Sequence, residues 1–207
     1  GPYLTASAKA AGKRAVELVG ENLRPSDILT MKAFENAIMV HAAIAGSTNA
    51  LLHLPSIAYE LGLEIKPELF DEINRRIPYL LNVKPSGKYP VEYFYAAGGV
   101  PAIMEELRDF LHLDAMTVTG KTVGENLDAL AAGDYYKEHE AYYEGSGVEK
   151  SQVLFTVEHP LNEEGSIAIF KGNIALEGSV MKHSAVPDEM KEAVLYARPF
   201  DCEEEAI

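Results

Sequence analysis

The spacing of apolar residues divides the chain into a helical part and a β-prone part. Ala8, Ala11, Ala15, Leu18 and Val19 fall on one face at helical spacing, which predicts a helix over residues 6–20. Thr30 is placed to cap a second helix carrying Phe34, Ala37, Ile38, Ala42 and Ala45. Gly46-Ser47-Thr48-Asn49 breaks that pattern. Leu51, Leu54, Ile57, Ala58 and Leu61 mark a further helix ending at Gly62, in which Pro55 should cause a kink or a shifted start. Pro67 opens a helix through Arg76, and Pro101 another through Leu111. Residues 115–119 predict a short strand, with Thr122 capping the helix that follows it.

The character changes over residues 131–150. Tyr135, Tyr136, Tyr142 and Tyr143 lie among acidic residues and glycines with no clean period, which reads as a linker or surface excursion. Beyond it, residues 153–157, 166–170 and 179–182 are short β-prone runs separated by turn residues. Helices followed by strands predict two units: 1–130, and 151–207 as an incomplete second one. The chain closes on Asp201, Cys202 and three glutamates, a helix start with Asp201 as its cap, which reads as a truncation.

Composition narrows the function. A net charge of −14 argues against nucleic-acid binding, which needs clustered Lys and Arg. A single cysteine permits no internal disulfide and no cysteine-based metal site completed within the chain, and it fits a reducing, cytoplasmic setting. No apolar run approaches the roughly 18–20 residues that span a bilayer.

Candidate chemistry is sparse. Gly120-Lys121-Thr122 lacks the earlier glycine of a phosphate-binding loop, because Ala115 stands in its place, and reads as a capped turn. Lys84, Ser86 and Lys88 surround a Pro/Gly turn that is either solvated or able to hold an anion on backbone N–H groups. Ser47, Thr48 and Asn49, with His53 one turn on, are either ordinary helix caps or a helix N-terminus aimed at an anionic group. Residues 172–182 read as a hairpin or as a loop closing over a neighbouring site. The six histidines show no metal-ligand spacing.

Several stretches, taken together, resemble the dihydroxy-acid and sugar-acid dehydratase (IlvD/Edd) family. They are Ala33-Phe34-Glu35-Asn36-Ala37-Ile38, Gly46-Ser47-Thr48-Asn49-Ala50-Leu51-Leu52-His53-Leu54 and Lys84-Pro85-Ser86-Gly87-Lys88-Tyr89. Further on come Ala97-Gly98-Gly99-Val100-Pro101-Ala102, the run from Leu113 to Thr122, and Gly172-Asn173-Ile174-Ala175-Leu176-Glu177-Gly178. The stretch 133–152 and His159-Pro160-Leu161 look closer to the aldonic-acid branch, resembling xylonate dehydratases.

The resemblance implies an α/β fold: the helix-rich remainder of an α/β domain, then the start of a β-barrel-like C-terminal domain. It implies a hydro-lyase that turns a 2,3-dihydroxy acid or sugar acid into a 2-keto acid, using Mg²⁺, an iron–sulfur cluster and a serine base. It also implies a homo-oligomer. The cluster cysteines and the serine motif are absent from this sequence, so the ligands are expected outside it and the chain is expected to be an inactive fragment. Ser47, Thr48, Asn49, His53, Lys84, Ser86 and Lys88 are the residues expected to line or back the substrate site. The rival expectation is a stand-alone acidic binding module that reuses the scaffold.

Overall fold

A computed structural model describes residues 2–207, with side chains described from residue 4 onward. Helix α1 spans Pro2–Glu21, the short α2 Pro25–Ile28, and α3 Met31–Ala43. Then come α4 (Ala50–Glu60), α5 (Pro67–Arg76), α6 (Glu92–Ala96) and α7 (Gly99–Glu106). Helices α8 (Val123–Ala132) and α9 (Tyr135–Glu140) complete the helical part. Two strands, β1 (Ala168–Phe170) and β2 (Ser179–Met181), precede the short helices α10 (Asp188–Lys191) and α11 (Glu203–Ala206).

Helix α3 is the centre. It packs on α5 and α7 and carries Phe34, Ile38, Met39, Ala42 and Ala43 into a core shared with Phe70, Ile73, Leu80, Leu81, Ile103, Leu107 and Val153. The stretch 77–83 threads that core without becoming a named strand. Tyr79 and Leu81 instead make single bridges to Asn162 and Leu154 of the later part of the chain. A buried amide locks the two parts together. Asn74, 2% exposed on α5, accepts from the Ile167 amide at 3.0 Å on its Oδ1 and donates to the Phe70 carbonyl at 2.9 Å. Its own carbonyl receives the Gly165 N–H at 2.6 Å. A Cβ at Gly165 would stand 2.5 Å from the Asn74 Oδ1, so this crossing needs glycine.

Several expectations are met: α5 runs from Pro67 to Arg76, Thr122 caps α8, and the β-prone runs 166–170 and 179–182 pair through Ala168–Phe170 and Ser179–Met181 as an antiparallel hairpin with Ile169 opposite Val180. Others need correction. Residues 115–119 are not a strand; Met116 makes only one bridge, to Thr122, because the chain turns back through Gly120 (φ 76°) to start α8. Residues 153–157 likewise make isolated bridges and no strand. Helix α7 starts at Gly99, not Pro101, since the left-handed Gly98 (φ 102°) lets its carbonyl accept from Ala102, and it ends at Glu106.

Pro55 neither ends nor delays α4, which runs through it. Cys202, one residue after Asp201, holds the N-cap position of the terminal helix, with no side-chain hydrogen bond to its first turn. The predicted apolar stripe of α1 is largely uncovered among the described residues: Ala8, Ala11, Ala15 and Val19 are exposed, and Leu18 is half-buried. Residues 131–150 hold α9 and a 3₁₀ turn at Ala141–Tyr143, with His139 buried and the Tyr143 hydroxyl donating to the Tyr93 carbonyl at 2.6 Å. The described residues therefore mix many helices with one two-stranded sheet.

Candidate functional site

The turn between α3 and α4 carries the first group of candidate residues. Ala45 adopts φ 52°, and the chain then passes so close to His41 that a Cβ on Gly46 would lie 2.1 Å from the imidazole. That approach lets His41 Nε2 donate to the Ser47 carbonyl at 2.8 Å. From the far end of the chain, Lys182 Nζ donates to the Ala45 carbonyl at 2.8 Å. Burial pushes the His41 pKa down, with the Lys182 charge adding to it and the bond to Ser47 working against it. Burial also lowers that of Lys182. Both groups thus brace the turn from inside.

On its outer side, Ser47 and Asn49 are exposed and Thr48 half-buried, and the Asn49 amide donates to Ser47 Oγ at 3.2 Å. His53 is exposed on α4, next to the first turn. The arrangement presents two hydroxyls, an amide and an imidazole near one helix start.

The second group sits on a closed loop. Lys84 N–H donates to the Tyr89 carbonyl (2.8 Å), Gly87 N–H to Val83 (2.7 Å) and Lys88 N–H to Asn82 Oδ1 (2.9 Å). A Cβ on Gly87 would stand 2.4 Å from the Asn82 backbone. These three amides are bonded inside the loop, so of the two readings of this turn they do not supply the anion-holding one. Lys84 and Lys88 are exposed, and Lys88 Nζ lies 5.2 Å from the centre of the Tyr89 ring.

Ser86 turns the other way. It lines a polar cavity of about 340 Å³ with Tyr79, Asn82, Asn162, His183 and Ser184, where the loop meets the later part of the chain. The hydroxyls of Tyr79, Ser86 and Ser184 are buried there without a protein partner, and burial pushes the Tyr79 phenol up to about 12. Ser86 alone of the seven candidates lines this cavity; the turn at 47–49, His53 and the two lysines do not.

Among the described residues, no three His, Cys, Asp or Glu side chains are grouped to hold a metal ion, and Cys202 is exposed. Among the described residues, the one cysteine cannot by itself supply the thiolates of an iron–sulfur cluster, and no three carboxylate or imidazole groups gather to enclose a metal ion. No described helix is long and apolar enough to cross a membrane.

Sequence reasoning missed the internal supports. His41, Lys182 and Asn74 were not singled out, nor was Asn36, whose buried amide brackets the His112 backbone with bonds of 2.8 and 3.1 Å. The usable signal was polarity on an apolar face: Asn36 and His41 interrupt the buried side of α3, and buried polar groups are nearly always bonded.

Comparison with known proteins places this architecture. Residues 3–126 match the N-terminal model of the dihydroxy-acid/6-phosphogluconate dehydratases, and residues 152–207 match the C-terminal model. The chain belongs to this family. It is 44% identical over 200 residues to dihydroxy-acid dehydratase 1 of Methanosarcina acetivorans, covering 97% of the chain and 34% of the relative. It is similarly 46% identical to the dihydroxy-acid dehydratase of Methanosarcina barkeri and 45% identical to that of Acetivibrio thermocellus, with the same coverage of each. The chain therefore spans about a third of the length of the curated relatives it matches.

Proposed function

We propose that the whole protein is a hydro-lyase that removes water from a 2,3-dihydroxy acid to give a 2-keto acid. The supporting observation is that both family models match in order along one chain, at 44–46% identity to proteins named dihydroxy-acid dehydratases. Residues 1–130 are read as the later part of an α/β domain and 151–207 as the start of a β-barrel-like one, joined through 131–150. The Mg²⁺ and iron–sulfur cluster implied by the family find no grouped set of three donors among the described residues, and their ligands are assigned to other segments of the protein. Setting and assembly follow the same reading: cytoplasmic, and a homo-oligomer.

Within this reading, the chain contributes support. The 47–49 turn offers hydroxyl and amide groups at the start of α4 for a carboxylate or hydroxyl, with His41 and Lys182 fixing its backbone. Ser86 and the two loop lysines contribute at the boundary between the units. The substrate range covers dihydroxy acids, as the relatives' names suggest, and aldonic acids, as the resemblance of residues 133–152 suggests. The reading of the chain as an acidic binding module has no observation in its favour.

The test is to express the uninterrupted reading frame, measure bound iron and sulfide, and follow 2-keto acid release from 2,3-dihydroxy-3-methylbutanoate, xylonate and gluconate. Iron-loaded protein that converts none of them sinks the proposal.

A further inference from the structure

The end of α3 is tied to distant parts of the chain. A helix leaves its last carbonyls without intrahelical partners. Here the Leu80 N–H donates to the Ala43 carbonyl at 2.9 Å, and the Ser166 N–H to the Ala42 carbonyl at 3.2 Å. Lys182, just beyond β2, adds the bond from its Nζ to the Ala45 carbonyl. A cation in this position also meets the negative end of the helix dipole. That offsets burial, which works against the charge of the half-buried lysine.

The turn that follows does not hold its shape by itself. Ala45 sits at φ 52°, a left-handed conformation that its Cβ disfavours. Such a conformation persists where its surroundings over-determine it. One brace is His41, which belongs to α3 and reaches the Ser47 carbonyl. The other is Lys182, which belongs to the later part of the chain. Lys171, on the same hairpin, also crosses to the first part, but it pairs with Glu68 in the first turn of α5.

We infer that Lys182 is a positioning residue, a latch that makes the geometry of the Ser47–Asn49 turn conditional on the later part of the chain being seated against α3. The consequence at the substrate rests on the proposed dehydratase function. The latch itself rests on the geometry of the turn.

The test uses the iron-loaded protein from the uninterrupted reading frame, unchanged and as Lys182→Met, Lys182→Arg and Lys171→Met. Hydrogen exchange read by mass spectrometry follows residues 45–50, where the Gly46 and Ala50 N–H groups bond to the His41 and Ser47 carbonyls at 3.0 Å. Initial rates with 2,3-dihydroxy-3-methylbutanoate give KM and kcat separately. In Lys182→Met, exchange over 45–50 should speed up about tenfold while residues 77–83 keep their protection. KM should rise about tenfold with kcat within about twofold, because binding common to ground and transition states is lost. Lys182→Arg keeps a cationic donor and should recover most of both effects. Lys171→Met should produce neither. The inference is overturned by unchanged exchange over 45–50 in Lys182→Met, by loosening that spreads to 77–83, by the same change in Lys171→Met, or by faster exchange with an unchanged KM. Absence of keto acid from the unchanged protein refutes the dehydratase reading instead, and the exchange pattern then decides the latch on its own.

Discussion

Replacing Asn74 by alanine removes the amide that clamps the second part of the chain onto the first. Two side-chain hydrogen bonds go: the one from the Ile167 N–H at 3.0 Å and the one to the Phe70 carbonyl at 2.9 Å. Ile167 is 2% exposed, so its N–H would stay buried with no acceptor. Leaving a buried donor unmade costs about 1–3 kcal/mol, and losing the second bond about 0.5–1.5 kcal/mol more. A small cavity between Ala42 and Gly165 adds to this, and the total is about 3 kcal/mol. For a domain of this size that is a fall in Tm of roughly 6–12 °C. Urea unfolding followed by circular dichroism gives the free energy, and hydrogen exchange at the Ile167 amide gives the location. Asn74→Leu fills the space but supplies no acceptor, so it should recover only part of the loss. A loss below about 0.5 kcal/mol, or unchanged protection at Ile167, would refute the reasoning.

Tyr79→Phe should act in the opposite direction, because the phenol it removes is buried without a protein partner. A gain of up to about 1–3 kcal/mol is expected in thermal unfolding, and a clear destabilisation would contradict it. Thr122→Ala breaks a capping box in which Thr122 Oγ1 accepts from the Glu125 amide at 3.2 Å and Glu125 Oε2 from the Thr122 amide at 2.8 Å, and should cost about 1 kcal/mol in the same assay. The alkaline limit follows from Tyr79, Tyr136 and Tyr143, whose phenols burial pushes from 10.0 up to about 12. The folded state holds these protons more tightly, so the associated stability is complete below pH 10 and is lost as pH rises towards 12. Tyrosinate absorbance combined with urea midpoints checks this; all eleven tyrosines titrating together near 10 in the native state would disprove it. At the acid end, His41 has its pKa lowered, so stability should fall as pH drops below 6.5, and His41→Asn should flatten that slope.

What the sequence made legible was local chemistry. Pro67 at a helix start and Arg75 and Arg76 in its last turn define α5 without reference to anything else. The pair Thr122 and Glu125 defines the start of α8 in the same way. Residues 115–119 and 153–157 misled because strand pairing depends on a partner: both have β-prone composition, yet each finds only single bridges. The stripe on α1 has helical period, yet among the described residues only its Leu18 is half-buried and the rest is exposed.

The candidate site divides similarly. Ser47, Thr48 and Asn49 announce a helix start, so their position was readable. The braces behind them were not, because His41 and Lys182 meet at this turn only after the chain folds across 141 positions of sequence. The backbone amides of residues 84–88 illustrate the converse: a Pro/Gly turn suggests free N–H groups, but Asn82 and the loop's own carbonyls take up three of them.

The central proposal is that this chain is part of an enzyme that eliminates water across C2 and C3 of a dihydroxy acid. Loss of the C2 proton and the C3 hydroxyl gives an enol, which takes a proton from solvent at C3 when it becomes the ketone. Running the protein from the uninterrupted reading frame with 2,3-dihydroxy-3-methylbutanoate in D₂O tests that step directly by NMR of the product. The account predicts a 2-keto acid carrying one solvent deuteron at C3. A keto acid with no deuterium there, or no keto acid from iron-loaded protein, would contradict it.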